Sequence, residues 1–209
     1  MTYLPELEAK LSESGFSIPQ LESDPAVIYA LEPDFRISYC NQAWDRFAAE
    51  NGGRNLDRDA VRGVSVLDVT PEPLRTFYLN AYSSAQIQRQ PWEHEFECSS
   101  PEMYRAFRMR VFPLRLSSLL VENSLLVERL HGADREAAEA NAAQYVSENG
   151  ILTMCCHCRR TRRIASEKPF ETWDWVPDFL VNPPGAVSHG LCRMCYAYFY
   201  PRTKLSSES

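Results

Sequence analysis

A chain of 209 residues has room for one ordinary domain and a small second one, and 44% apolar with 24% charged residues excludes wholesale disorder. The net charge of −6 speaks against a nucleic-acid binder that uses its whole surface. No apolar run approaches the roughly 18–20 residues of a membrane helix, and the mixed, acidic opening MTYLPELEAKLSESG is unlike a secretory signal. A cytoplasmic, reducing setting without a membrane partner is therefore expected. The charge is uneven: residues 151–209 hold eight basic and five acidic side chains, a local +3, so that of the total of −6 the first 150 residues carry −9.

The first element is an amphipathic helix within residues 1–19. Pro5 suits its first turn, Leu4, Leu7 and Leu11 share one face, and Gly15 stops it. Three apolar positions are too few for it to stand alone. Two short strands follow, Ala26 to Leu31 and Arg36 to Cys40, joined by the turn Glu32-Pro33-Asp34. Asn41 caps a helix bearing Ala43, Trp44, Phe47 and Ala48, which ends at Gly52-Gly53. Thr70-Pro71 starts a longer helix whose Leu74, Phe77, Tyr78, Ala81 and Tyr82 recur at helical spacing as a core-facing stripe. Beyond Pro91 three strands are expected, Trp92 to Cys98, Met103 to Leu114 and Ser118 to Leu130.

Alternation assigns faces to these strands. Trp92, His94, Phe96 and Cys98 point inward, with Phe107, Met109 and Val111 from the next strand. Glu93, Glu95 and Glu97 point outward beside Arg108 and Arg110, in exposed pairs worth at most about 1 kcal/mol each. An inward histidine is usually a hydrogen-bonded core residue. Residues 131–150, rich in Ala and Glu, predict a connecting helix centred on 133–147, and 204–209 read as a frayed tail.

The segment from Asp24 to Trp44, DPAVIYALEPDFRISYCNQAW, reads strand, turn, strand, Asn, helix. It resembles the opening of a PAS domain, and the five-strand order extends the resemblance over residues 20–130. What this implies is an α+β fold: a five-stranded antiparallel sheet with flanking helices, often around a small cavity, whose usual work is sensing and dimerisation. His94, Trp92, Phe96, Phe107, Phe77 and Tyr78 are the candidate ligand-contacting residues. Haem is disfavoured, since the long helix carries no His. Cys40 and Cys98 read as small apolar core residues, and the flavin-type reactive-cysteine stretch is absent.

Five of the seven cysteines cluster near the C-terminus, which in a reducing compartment suggests metal ligation rather than disulfides. Two Cys-x-x-Cys turns, Cys155/Cys158 and Cys192/Cys195, can aim four sulfurs at one centre and build a tetrahedral Zn2+ site in a small zinc-ribbon-like module over 151–203. The alternate ligands are His189 and Cys156, with His157 a further competitor. Phe170, Trp173, Trp175 and Phe179 should form a small aromatic core. The whole pattern, from Cys155 through Ser188-His189-Gly190 to Tyr200-Pro201, is similar to a Cys-rich segment that follows PAS and other sensory domains in bacterial signalling proteins.

No Gly-rich phosphate loop, nucleophile elbow, His-Glu-x-x-His or kinase signature is present, and a four-sulfur site has no open position, so no catalysis is expected. The expectation is a signalling protein that senses a small molecule or forms a homodimer and docks a signalling partner through the zinc module. The run Arg159-Arg160-Thr161-Arg162-Arg163 keeps a DNA-binding regulator as the rival reading. Against it, four thiolates on zinc add about −2 and leave the module near +1. A haem or redox sensor is the third reading.

Overall fold

The computed structural model describes residues 3–11, 13–72, 74–100, 102–131, 136–164 and 171–200. The chain divides into two compact units. The first comprises residues up to Glu95 together with Phe107–Leu126, and the second comprises Phe96–Ala106 together with the chain from Val127 onward.

In the first unit α1 (Tyr3–Leu11) and α2 (Ile18–Ser23) precede strands β1 (Val27–Leu31) and β2 (Ile37–Cys40). Next come α3 (Gln42–Glu50) and α4 (Leu74–Gln88), then β3 (Trp92–Glu97), β4 (Met103–Pro113) and β5 (Leu119–Leu130). The strands form one sheet in the order β2-β1-β5-β4-β3. β1 pairs antiparallel with β2 through Tyr29↔Cys40 and with β5 through Tyr29↔Val121 and Ala30↔Leu120. The first strand thus closes the sheet against the last, and its residues from Ile28 to Leu31 are all buried. Burial on both sides of a strand abolishes polar alternation, and both coverings are visible. On one side Ile28, Ala30, Tyr39 and Leu120 pack with Leu7, Leu11 and Leu21 of α1 and α2. On the other, Tyr29 meets Trp44 of α3 and the Tyr82 hydroxyl of α4, while Phe47 meets Phe107. The N-terminal helix, too weakly apolar to stand alone, has the back of the sheet as its partner. The side chain of Leu4 lies outside the described residues.

Asn41 holds the first unit's opening together. Its side chain is completely buried, accepts from the amides of Ile28 and Trp44, and donates to the carbonyls of Leu21 and Ala26. Both donors and two acceptor positions of the amide are used.

In the second unit the expected connecting helix over 131–150 is corrected to a single turn, α5 (Ala142–Tyr145). Upstream of it the backbone is extended: Ala137 bridges Trp175, and Ala138 donates to the Trp175 carbonyl. Tertiary pairing has overridden Ala/Glu helix propensity, a weak prior. Residues 132–135 of that stretch lie outside the described residues. A second sheet follows, ordered β8-β7-β6-β9, from β6 (Ile151–Cys155), β7 (Thr161–Arg162), β8 (Trp173–Asp174) and β9 (Ala186–Gly190). α6 (Asp178–Val181) precedes β9 and α7 (Arg193–Phe199) ends the described chain. Tyr145, Leu152, Met154, Val176 and Phe179 form this unit's apolar core. Of the expected aromatic core, Phe179 and Trp175 are buried and Trp173 is half-buried. Phe170 and the tail 204–209 lie outside the described residues.

Candidate metal centre and aromatic core

The strand β6 ends in Cys155, and a tight turn brings Cys158 back before β7 begins. The turn closes with the Cys155 amide donating to the Arg160 carbonyl, and Arg159 adopts a left-handed φ of 60°. The second pair arrives differently. β9 runs parallel to β6 in the register Cys155↔Gly190, so that the chain just past Gly190 is delivered beside the first pair. Gly185 makes the approach to this pairing possible, because a Cβ there would lie 2.4 Å from the Gly150 carbonyl oxygen. Cys192 is then the N-cap of α7 and Cys195 lies in its first turn. The second Cys-x-x-Cys is therefore a helix start rather than a second hairpin turn.

The four sulfurs lie within 4.8 Å of one another and all four residues are buried. The Cys158 and Cys192 sulfurs are 3.6 Å apart, far beyond a disulfide bond. Four sulfurs at about 2.3 Å from a central ion are separated by about 3.8 Å along each tetrahedral edge, so the spacing fits a bound divalent ion. Two backbone amides support the sulfurs: Cys192 donates to Cys155 Sγ and Cys195 to Cys192 Sγ, each at 3.4 Å. Trp173, Leu191 and Phe199 pack around the cluster. The four thiols perturb one another through hydrogen bonds. Hydrogen bonds from Cys158, Cys192 and Cys195 pull Cys155 down, and hydrogen bonding to Cys155, Cys158 and Cys192 pushes Cys195 up. A divalent ion would remove this competition, since ligation requires each sulfur as thiolate.

Among the described residues the group of converging donors consists of these four cysteines. His189 is exposed on β9, opposite Met154 in register. Cys156 sits within the turn, its amide bonded to the Gly190 carbonyl, and burial pushes its thiol up to about 12. His157 points away from the sulfurs. Its Nδ1 lies 2.6 Å from the Glu97 carbonyl oxygen and its Nε2 2.7 Å from the Tyr200 hydroxyl. A carbonyl only accepts, so Nδ1 carries the proton and Nε2 accepts from Tyr200. Burial holds this imidazole below its usual range, and the Phe199 ring stacks on it at 5.1 Å.

Three arginines of the basic run are engaged within this unit. Arg159 donates to the Ser99 carbonyl, Arg162 pairs with Glu171, and Arg163 binds Asp174, which also accepts from the Tyr145 hydroxyl.

Of the candidate ligand residues, Phe77, Tyr78, Trp92 and His94 form one aromatic cluster. His94 stacks on Trp92 at 5.5 Å and lies 5.0 Å from Phe77. Phe107 is buried against Phe47. Phe96 belongs to the second unit, where its ring is 6.4 Å from His157. Arg108 pairs with Glu95 on the outer face as alternation requires. Glu97 is corrected: it is buried, and its carboxylate accepts from the Ser99 hydroxyl. A cleft of about 550 Å³ is lined instead by Phe16, Leu21, Ile28 and Leu120 with Asp24 and Glu122, none of them among the candidate ligand residues. Its floor is the same apolar set that seats α1 and α2, so periodicity alone could not separate lining from core.

Fold and site define an α+β protein with a five-stranded antiparallel sheet and a small four-cysteine module. Residues 21–122 match the PAS fold family, and the five-stranded antiparallel sheet with its flanking helices is PAS-like. No curated protein matches the chain. Among solved structures, the PAS domain of BvgS from Bordetella pertussis is similar at 17% identity and a TM-score of 0.43, covering 56% of this chain and 89% of that one. The PAS domain of the quorum-sensing receptor RpfR from Cronobacter turicensis, in complex with BDSF, aligns at 17% identity and a TM-score of 0.40, covering 50% of this chain and 97% of that one. The photoactive yellow protein domain of the sensor histidine kinase Ppr from Rhodospirillum centenum aligns at 9% identity and 0.39, covering 54% and 95%. No helix among the described residues is long and apolar enough to cross a membrane.

Proposed function

We propose that this protein is a non-catalytic regulatory sensor. Its PAS domain binds a small molecule or pairs with a second copy of the chain, and a structural Zn2+ held by Cys155, Cys158, Cys192 and Cys195 stiffens a docking module for a signalling partner. The observation that carries the reading is the convergence of four buried sulfurs within 4.8 Å of one another. An all-sulfur tetrahedral set favours zinc, and with four protein ligands it leaves no position for a substrate or an activated water. The aromatic cluster around His94 gives the PAS domain a surface suited to a planar or apolar small molecule.

The arginine run supports docking over phosphate binding, because Arg159, Arg162 and Arg163 already have carbonyl or carboxylate partners within their own unit. Native mass spectrometry of freshly purified protein tests the proposal. One Zn2+ per chain in a dimeric or ligand-carrying species is the expected result. A metal-free chain with four alkylatable thiols would overturn it.

A further inference from the structure

We infer that the turn carrying the first cysteine pair clamps the β3–β4 hairpin, so that metal occupancy governs the order of residues 96–100 and 102–106. This rests on the reading of the four sulfurs as metal ligands. In a Cys-x-x-Cys turn both sulfurs face the ion, so the side chains between and after them are directed elsewhere. Here His157 and Arg159 are directed at the hairpin. His157, buried to 3% exposure, donates to the Glu97 carbonyl, and Arg159 donates to the Ser99 carbonyl at 3.1 Å. The two residues flank Cys158 on either side and grip alternate carbonyls of one strand end. Between those carbonyls, the Cys98 amide donates across the hairpin to the Arg105 carbonyl.

The far side of His157 is fixed as well, by the Tyr200 hydroxyl and the Phe199 ring at the end of α7, the helix that supplies Cys192 and Cys195. Both halves of the metal centre therefore converge on this one imidazole. Glu97 and Ser99 are themselves buried and joined through Ser99 Oγ to the Glu97 carboxylate, which is why a glutamate expected on the outer face is enclosed instead. A second anchor does not depend on the metal: His131, just past β5, has Nε2 2.8 Å from the Ser100 carbonyl oxygen, and its amide donates to Glu102. Release of the clamp should therefore loosen the strand end around Cys98 more than the tip.

The test is amide hydrogen exchange read by mass spectrometry on the full chain, with zinc quantified in the same samples. The variant His157→Ala/Arg159→Ala keeps all four sulfurs. The inference predicts that it retains one zinc while exchange at the Cys98 amide accelerates by about tenfold or more, with a smaller change at Ser100. Chelation of the wild-type chain should produce the same pattern. A variant that retains zinc and exchanges like wild type at Cys98 overturns the clamp while leaving the zinc reading intact. A wild-type chain without metal overturns the zinc reading and the clamp with it. Should the double variant not purify folded, Arg159→Ala alone decides, since it removes one contact to one carbonyl: unchanged exchange at Cys98 then counts against the clamp.

Discussion

Replacing Asn41 by alanine separates two accounts of one residue. If Asn41 were only a helix cap, its loss would cost about 1 kcal/mol. The structure gives its amide four hydrogen bonds, to Ile28 and Trp44 as acceptor and to Leu21 and Ala26 as donor, in a fully buried position. Truncation leaves two N–H groups and two carbonyls around a small void, and each stranded buried group costs about 1–3 kcal/mol. Some of these find other partners, so the expected loss is about 3–5 kcal/mol, enough to threaten a domain of ordinary stability. Asn41→Asp retains the acceptors, loses both donors and buries a charge, so it should be no better than alanine. Urea unfolding followed by tryptophan fluorescence measures the difference, with zinc held in excess so that metal linkage is constant. A loss near 1 kcal/mol for Asn41→Ala would refute the four-bond account and leave Asn41 an ordinary cap.

Three further predictions follow from the geometry. Cys195→Ser should abolish stoichiometric zinc binding and unfold the second unit's sheet, seen as lost metal and lost exchange protection in β6 and β9, because three thiolates and a hydroxyl no longer complete the site. Burial pushes Tyr29 and Cys40 each up to about 12 and raises Tyr39 and Tyr82 as well. The unfolded chain therefore loses protons first, and the first unit should lose stability as pH rises from about 9 towards 12; urea midpoints at pH 7.5 and 10 check this, with Cys40→Ala flattening part of the decline. Tyr145→Phe removes a 2.8 Å hydrogen bond to Asp174 beside Arg163 and should cost about 1–3 kcal/mol, measured as a fall in the second unit's thermal midpoint.

Most of the PAS-like fold was legible because its signals are periodic. β1, β2 and the Asn41 cap, the Leu74 to Tyr82 stripe, and the alternation of Phe107, Met109 and Val111 against Arg108 and Arg110 all lie where period and turn chemistry place them. α2 was missed because six residues, IPQLES, carry one buried leucine and no full helical period. The connecting helix failed for the opposite reason: an Ala/Glu stretch satisfies helix propensity, yet its backbone is extended where it pairs with Trp175. That Cys155, Cys158, Cys192 and Cys195 belong together was legible from spacing alone. Their arrangement was not, since the described part of the 33 intervening residues forms β7, β8, α6 and a parallel β9, and that parallel register brings Cys192 beside Cys155. Residues such as His157 and Arg159 looked like a rival ligand and a phosphate contact because sequence shows a side chain's chemistry and not its direction.

X-ray absorption at the zinc edge addresses the four-sulfur centre most directly. The account predicts a single shell of four sulfurs at about 2.3 Å in protein containing one zinc per chain. A mixed shell with nitrogen from His189, or a preparation with no zinc edge at all, would contradict it.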